Sequence, residues 1–381
     1  MKLIHLSDLH IGKRVNGFSM TEDQRYILRE IIRIIADEKP DCIAIAGDVY
    51  DKPVPSAEAV EAFDDFLVRL AALDIPVFII SGNHDSPERL SFGNRLMDSA
   101  GIYLSPVYNG DIEPVSIEDE HGPVDVFMLP FIKPVHVRKA FSDEAESIVS
   151  YTDAVRTAVD HMPVDKERRS ILITHQFVTG AQRCESEELS VGGSDNVDAS
   201  VFDDFDYVAL GHIHGPQDMV DGRIRYCGSP LKYSFSEAGH HKSVTVAEIG
   251  SAGNVDIHEI PLMPLRDMTE LKGTYDELTA MSFYKDTGWK NNYIHITLTD
   301  EEDVPEAVAR LRVIYPYLMK LDYDNRRTRS GVTITDTSCS EKRSPLDIFA
   351  DFYEMQNDMP MSDEQSDFVT RLIEDIWEGR E

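Results

Sequence analysis

The chain has 381 residues, and its 37 basic against 69 acidic side chains give a formal charge of −32 at pH 7. This length predicts two domains with a small appendage, and the 42% of hydrophobic residues excludes wholesale disorder. Such a charge is repelled by phosphate backbones and anionic membranes. It therefore argues against nucleic acid as a partner unless the field is locally inverted.

Cysteine usage and hydropathy indicate the compartment. The four cysteines form no CxxC pair, so neither a disulfide framework nor a zinc knuckle is indicated. No apolar run approaches the roughly 18 residues of a membrane span, and Asp8 comes too early for a signal peptide. These features predict a soluble cytoplasmic protein.

The first third of the chain alternates short apolar runs with amphipathic stretches. Buried strands are predicted at KLIHLS, DCIAIAG and PVFIIS. Helices are predicted between them over residues 21–38 and 56–73, the second with Ser56 as its N-cap. Strands that alternate with helices indicate βαβ units, in which parallel strands are covered on both faces.

The next part of the chain predicts a second set of strands. Shorter strand-like pieces occupy residues 102–131, a helix is expected over 143–161, and two more buried strands are SILITHQ and DYVALGH. A β-meander follows, with turns at Asp221-Gly222 and Gly253-Asn254. The predicted fold class is therefore α/β, a sandwich of two sheets flanked by helices.

Prolines in IPLMPLRD mark a boundary after the first domain, which is predicted over residues 1–263. Residues 264–341 predict a small α/β domain in the order helix, strand, helix, strand. Residues 342–381 predict an acidic tail of two amphipathic helices, broken near MPMSD, with Ser362 as the cap of the second.

Polar side chains of one chemical type follow each of five predicted buried strands. Because loops after strand ends converge on one crevice in α/β sheets, we expect these side chains to meet. Asp, Asn and His are the side chains that bind divalent metals, although any one of them alone is ordinarily a turn or capping residue. The candidate ligands are Asp8, His10, Asp48, Asn83, His175, His212 and His214.

The number of candidates favours two metal ions, since six or seven ligands exceed the needs of one tetrahedral zinc. Asp48 is the candidate bridge, because a carboxylate can serve two cations about 3.5–4 Å apart. Imidazole, carboxylate and amide ligands together suit manganese, iron or zinc better than calcium. The other candidates divide into two sets: Asp8, His10 and His214, and Asn83, His175 and His212.

The motifs SDLH, AGDVYD, SGNHDS, THQ and GHIH occur in this order over roughly residues 1–230. They resemble the signature of the calcineurin-like metallophosphoesterases. The resemblance implies phosphoester hydrolysis by a metal-activated water. It leaves His84 outside the ligand set, placed to protonate the leaving alkoxide as a catalytic acid. Asp51, where many relatives carry histidine, is either a second catalytic residue that orients His84 or a solvated turn residue.

Two longer segments narrow the resemblance to the SbcD-type nucleases of this superfamily, over about residues 1–260. These segments are SEELSVGGSDNVDASVFDDFDYVALGHIHGPQ and YCGSPLKYSFSEAG. The resemblance implies a manganese-dependent nuclease that cuts DNA at ends and hairpins in repair and recombination. It further implies an SMC-like ATPase partner of the SbcC type, which couples duplex cleavage to ATP hydrolysis and supplies most of the affinity for duplex DNA.

The same resemblance implies a homodimer that joins through helices at about 56–73 and 87–99. Candidate contacts, unless they pack on the chain's own sheet, are Val60, Phe63, Leu67, Leu90 and Leu96. Candidate DNA contacts in the small domain, or else residues of a solvated turn, are Arg326, Arg327 and Arg329.

The tail from residue 344 carries eleven acidic side chains against two arginines, with two apolar stripes at helical spacing. A lone short helix is marginal in water, so each stripe needs a surface. The resemblance favours the coiled-coil base of the ATPase partner, and the alternative is the chain's own second domain. The stripes are Leu346, Phe349, Phe352 and Tyr353, and Phe368, Leu372, Ile376 and Trp377.

Two other functions stay open. A phosphodiesterase or phosphatase for small molecules would share the fold, but it needs neither the second domain nor the tail. A regulatory scaffold with a vestigial site belongs to another class, and the complete set of candidate ligands disfavours it.

Overall fold

The computed structural model describes two compact units. The first comprises Met1–Leu298 and Val304–Asp322, and the second comprises Thr299–Asp303 with the described residues from Tyr323 onward. The residues described are 1–187, 195–251, 253–326, 328, 349, 350, 353, 361, 362, 365–370 and 372.

Within these residues the strands, in chain order, are β1 (Lys2–Leu6), β2 (Arg14–Val15), β3 (Phe18–Ser19), β4 (Cys42–Ala46), β5 (Val77–Ile80), β6 (Ile102–Leu104), β7 (Val115–Asp119), β8 (Gly122–Leu129), β9 (Arg169–His175), β10 (Phe177–Val178), β11 (Asn196–Val197), β12 (Tyr207–Gly211), β13 (Gln217–Val220), β14 (Ile224–Tyr226), β15 (Ser243–Ile249), β16 (Val255–Pro261), β17 (Met268–Gly273), β18 (Tyr293–Leu298) and β19 (Leu318–Tyr323). The helices are α1 (Thr21–Glu38), α2 (Ala57–Ala71), α3 (Pro87–Leu90), α4 (Asn94–Met97), α5 (Pro134–Ala140), α6 (Tyr151–Asp160), α7 (Tyr275–Thr279), α8 (Met281–Tyr284) and α9 (Ala307–Arg312). Short 3-10 turns lie at Asp98–Ala100, Ser142–Glu144, Ala199–Phe202, Phe235–Glu237 and Trp289–Asn291.

Two six-stranded sheets form the centre of the first unit, in the orders β16-β15-β1-β4-β5-β6 and β13-β14-β12-β9-β8-β7. The inner strands β1, β4 and β5 run parallel, as do β8, β9 and β12. One buried core joins the two sheets, with Ala44 and Phe78 from the first and Ile173 and Ala209 from the second. The predicted α/β sandwich of two sheets is confirmed.

Helices cover the outer faces of both sheets. Ile27 of α1 and Phe63 of α2 belong to the core on the outer side of the first sheet, and Val155 of α6 belongs to the core outside the second. The N-cap predicted for α2 is confirmed, because the Ser56 side chain accepts a hydrogen bond from Ala59 N. The helices thus bury one apolar stripe each and leave the strand ends accessible to loops.

A smaller sheet, β17-β18-β19, packs against α1 within the same unit. Tyr293 of β18 lies in the core of that unit, and its hydroxyl donates to the buried Asp23 carboxylate at 2.7 Å. Arg266 donates to Asp23 at 2.8 Å and to Glu22 at 2.7 Å. Polar and apolar contacts therefore attach this sheet to the first helix.

Several predicted elements differ from the structure. The helix expected over 143–161 begins only at Tyr151, because Ser150 and Asp153 form a capping box. The expected meander is divided, since β14 belongs to the second sheet whereas β15 and β16 extend the first. The helix expected over 87–99 is broken into α3, α4 and a 3-10 turn, and Gly93 between the two helices has a left-handed φ of 78°.

The sheets approach so closely at Gly211 that a Cβ there would overlap the main-chain oxygen of Ala46 and lie 2.6 Å from His175 Nδ1. Gly211→Ala is therefore expected to lower the free energy of unfolding by about 3 kcal/mol. Gly288→Ala is the matched control, since a Cβ at Gly288 meets nothing within 4 Å. Urea unfolding of both variants measures the difference, and equal midpoints would contradict the close approach.

Candidate metal centre

The candidate ligands lie in the loops that follow β1, β4, β5, β9 and β12, or at the ends of these strands. Asp8 N donates to Gly47 O at 3.0 Å, and His10 N donates to Asp48 O at 2.9 Å, so the first two loops are joined by main-chain hydrogen bonds. The backbone turns sharply at four candidates, which have positive φ angles of 53°, 43°, 50° and 103°: Asp8, His10, Asp48 and His212.

Asp8, His10 and His214 come together as the first predicted set. They are buried, with exposed fractions of 0%, 0% and 2%. His10 Nε2 lies 3.1 Å from His214 Nε2, and one ligand atom from each of the three residues lies within 4.8 Å of the others. This spacing is compatible with a shared metal ion.

Asn83, His175 and His212 come together as the second predicted set. Asn83 Oδ1 lies 3.0 Å from His175 Nε2 and 3.0 Å from His212 Nδ1. His175 Nδ1 donates to the main-chain oxygen of Ala46 at 2.8 Å, so Nε2 is the ring nitrogen that faces the centre.

Asp48 lies between the two sets. Its Oδ2 is 3.6 Å from His10 Nε2 and 3.5 Å from His175 Nε2. Its Oδ1 accepts a hydrogen bond from His84 N at 2.9 Å. Burial opposes the ionised form, but the neighbouring histidines, His175 first, hold the pKa of Asp48 well below its usual range. A buried carboxylate in this position can face ions on both sides.

Two further observations fit divalent ions. His10 Nδ1 and His212 Nε2 are buried and have no hydrogen-bond partner among the described residues. A buried polar atom without a partner costs free energy, so such atoms are typical of sites that a bound group completes. Burial also lowers the pKa of both imidazoles well below the ordinary value, which keeps them in the neutral form that binds metals.

His84 lies at the edge of the centre, where its Nε2 is 3.9 Å from Asp48 Oδ2. His84 Nδ1 lies 3.0 Å from the main-chain oxygen of Asp51, so the residue at position 51 orients the ring through its peptide group. The Asp51 carboxylate accepts from Lys13 Nζ at 2.8 Å. A ligand atom of His84 also lies within 4.8 Å of those of His10 and Asp48, so a ligand role has to be tested against the acid role.

Three buried acids around the centre are absent from the predicted site. The Asp85 carboxylate accepts from Val49 N and Gly82 N, both at 3.0 Å, and so joins the loops after β4 and β5. Burial and the nearby Asp48 raise the pKa of Asp85 to about 6. The other two, Glu187 and Glu237, lie beside His214. The quoted motif SGNHDS contains Asp85, the segment beginning SEEL contains Glu187 and the segment YCGSPLKYSFSEAG contains Glu237, so a signal for all three was present in the sequence.

The residues predicted for the dimer contact divide by exposure. Val60 and Leu96 are 45% and 80% exposed. Phe63, Leu67 and Leu90 are buried in the core of the chain itself. Their role in a dimer stays a prediction.

The predicted DNA and partner contacts fall mostly in the second unit. The Arg326 side chain is exposed, and its main-chain N donates to Glu301 at 3.2 Å. In the tail, Phe368 and Leu372 are 67% and 48% exposed, and Ser362 Oγ accepts from Gln365 N as the predicted cap. Phe349 is also exposed and Tyr353 is half-buried. The positions outside the described residues are Arg327, Arg329, Leu346, Phe352, Ile376 and Trp377.

Comparison with known proteins places this site in a family. Residues 1–216 match the calcineurin-like phosphoesterase family, and residues 264–357 match the type 5 capsule protein repressor C-terminal domain. The SbcD component of the SbcCD nuclease from Staphylococcus epidermidis is 33% identical over 380 residues, which cover 98% of either chain. Among the helices described, none has the length and apolar character that crossing a membrane requires.

Solved structures resemble the chain more distantly. A dimetal phosphatase from Danio rerio is 12% identical, with a TM-score of 0.40, over 69% of this chain and 99% of that one. A protein from Thermus thermophilus is 12% identical, with a TM-score of 0.38, over 68% of this chain and 98% of that one. Because both scores are low, the family assignment depends on the sequence matches.

Proposed function

The chain belongs to the calcineurin-like phosphoesterases and, within them, to the SbcD-type nucleases, and on this premise we propose that it hydrolyses the phosphodiester bonds of DNA at ends and hairpins. The observation that supports the proposal is the arrangement of the two candidate ligand sets around Asp48, with His84 beside them. A complete donor set beside a proton donor is what hydrolysis of a phosphodiester requires.

In the proposed centre, Asp48 would contribute to the binding of both of two manganese ions. Such ions lower the pKa of an attacking water and neutralise charge on the phosphoryl oxygens. One would be held by Asp8, His10 and His214, and the other by Asn83, His175 and His212.

His84 supplies the acid in this proposal. Its Nδ1 is held against the Asp51 main-chain oxygen, and its Nε2 lies toward Asp48. Nε2 is therefore the atom that delivers a proton to the leaving oxygen.

The formal charge of −32 has to be reconciled with a polyanionic substrate. Three sources of positive charge are proposed: the two ions, the arginines at positions 326, 327 and 329, and the ATPase partner. The acidic surface then keeps duplex DNA away except where the partner presents it. Cleavage of duplex DNA would accordingly depend on SbcC and ATP, whereas short single strands would need the nuclease chain alone.

A homodimer is proposed through α2 and the short helices after β5. Apolar side chains stay exposed on α2 and in the segment of α3 and α4: Val60 at 45%, Val68 at 63%, Phe92 at 86% and Leu96 at 80%. Exposed apolar surface of this kind is typical of a protein contact. In the proposed domain division, residues 1–263 hydrolyse, 264–341 position DNA and 342–381 bind the ATPase.

The proposal is tested by incubating the purified chain with hairpin and single-stranded DNA, with and without manganese. Cleavage of DNA that requires the metal is the expected result. A phosphomonoester and bis(p-nitrophenyl) phosphate serve as comparison substrates in the same buffer. An enzyme that hydrolyses these small esters rapidly but leaves both DNA substrates intact would instead be a small-molecule phosphoesterase.

Truncation at Ser344 tests the proposed tail. We expect a folded dimer that still cleaves single-stranded DNA in manganese, because no proposed ligand is removed. Copurification with the ATPase partner and ATP-stimulated duplex cleavage should both be lost. The double variant Phe368→Ser, Leu372→Ser should weaken the same association, whereas Val313→Ser, at a more exposed site outside the tail, should not. If the truncated chain binds the ATPase partner with unchanged affinity, the tail does not bind the partner and instead packs on the chain's own second domain.

A further inference from the structure

The ring nitrogen of His214 that faces away from His10 begins a hydrogen-bond chain, in which His214 and Glu237 are buried and Ser186 between them is half-buried. His214 Nδ1 lies 2.7 Å from Ser186 Oγ, and the same hydroxyl lies 2.5 Å from Glu237 Oε1. Glu237 is fully buried, and its Oε1 also accepts from Tyr233 N at 3.1 Å. The chain of contacts therefore leads from a candidate ligand to an acid with no access to solvent.

Lys242 shows that Glu237 is ionised. Its Nζ lies 2.6 Å from Glu237 Oε2, 2.8 Å from His214 O and 2.8 Å from Ser229 Oγ. An ammonium has three N–H donors, and these three contacts use all of them. A buried ammonium is stable beside a carboxylate and costly beside a neutral acid, so Glu237 can only accept hydrogen bonds.

The positions of the hydrogens follow from this charge. The Ser186 hydroxyl has one hydrogen, and it must donate that hydrogen to Glu237 because the carboxylate has none to give. Toward His214 the hydroxyl can then only accept, so His214 Nδ1 carries the ring hydrogen. In the neutral imidazole, which is the form that binds metal ions, His214 Nε2 then carries the lone pair, and it lies 3.1 Å from His10 Nε2.

We infer that Glu237, acting through Ser186, holds His214 in the Nδ1–H tautomer and so prepares Nε2 to bind a metal ion. Glu237 and Ser186 are thus positioning residues for the metal centre. The main chain of His214 is fixed as well, because Glu187 accepts from its N at 2.7 Å and Lys242 donates to its O. The inference rests on the proposed metal-dependent function, and it adds the groups that orient one ligand.

The tautomer can be measured directly in the metal-free full-length chain labelled with ¹⁵N-histidine. The His214 signals are assigned by their loss in His214→Gln. We expect a protonated Nδ1 and an unprotonated Nε2 for His214. A wild-type spectrum with the hydrogen on Nε2 would overturn the inference, and this measurement needs no variant of the hydrogen-bond chain to fold.

Manganese titration followed by electron paramagnetic resonance tests the consequence. Ser186→Ala should weaken one of two sites by about 10–100-fold, the usual effect of removing a group that orients a ligand. Ser186→Thr, which keeps the hydroxyl, should restore the affinity. Ser234→Ala is the matched control, since Ser234 Oγ lies 3.5 Å from Glu237 Oε1 in a contact that does not involve His214.

An unchanged manganese affinity at the second site would show that the Ser186→Ala variant is folded. If both sites of this variant bind manganese as the wild type does, the inference is wrong. Neither measurement contains DNA, so a chain that failed to cleave DNA would refute the proposed substrate and leave this result intact.

Discussion

Asp48→Asn should abolish DNA cleavage and reduce bound manganese from two ions toward one or none. The carboxylate lies within 3.6 Å of a candidate ligand nitrogen on either side, and an amide has neither its charge nor two equivalent oxygens. Losing several kcal/mol of charge stabilisation corresponds to a rate decrease of at least about 10³-fold. Cleavage assays and elemental analysis of the dialysed protein give the two quantities.

Asp64→Asn, on the exposed side of α2, is the matched control and should retain full activity and metal content. Far-ultraviolet circular dichroism should be the same for both variants. An Asp48→Asn protein that keeps two ions and normal cleavage would show that the bridge is elsewhere.

The second large effect is expected for His84→Ala, which should slow DNA cleavage by roughly 10²–10⁴-fold, the usual contribution of a positioned acid. The metal content should stay the same, because none of the proposed ligands is changed. An ester with a good leaving group needs less protonation, so hydrolysis of bis(p-nitrophenyl) phosphate should fall by a smaller factor. The ratio of the two decreases isolates the proton transfer.

His121→Ala serves as the comparison, because it removes a surface imidazole whose Nε2 lies 3.5 Å from the Glu120 carboxylate. If His84→Ala loses a metal ion, His84 belongs to the metal-binding cluster together with His10 and Asp48. His84 would then be a ligand, and the acid would have to be sought elsewhere.

The positions of the candidate ligands could be predicted because each one lies at or just after the end of a buried strand. A buried apolar run must end where its sheet ends, so the polar residue that follows lies at the sheet edge. Asp48 and His175 are far apart in sequence, yet each has this signal, and the sandwich brings them to 3.5 Å. The apolar sequences of the strands require their burial, and this burial is enough to bring the candidate ligands together at the ends of the strands.

The hydrogen-bonding groups behind the candidate ligands do not directly follow buried strands, so this signal is absent for them. Ser186 and Glu237 are 51 residues apart, in loops that no periodicity describes. Their contact depends on how the segment after β14 folds back over His214. The segment YCGSPLKYSFSEAG, quoted for the resemblance, contains Glu237, but it gave no indication of which residue the carboxylate would bind.

Strand β17 is a place where the prediction of secondary structure from sequence was wrong. Its sequence MTELKG is rich in residues that favour helices, so the segment after Pro264 predicted a helix. In the structure it pairs in parallel with β18 over six positions and buries Met268 and Leu271. Tertiary pairing outweighs a local preference of a few tenths of a kcal/mol per residue here.

The left-handed backbone at Asp8, His10, Asp48 and His212 has a consequence for how the protein tolerates heat. A residue other than glycine costs about 1 kcal/mol or more of conformational free energy at such angles. These four residues therefore lower the free energy of unfolding of the chain. An ion that binds only the folded chain raises the free energy of unfolding by about 2.7 kcal/mol when its concentration is one hundred times its dissociation constant. The melting temperature should therefore rise with manganese concentration, so that thermal unfolding measures how far the site is occupied by metal.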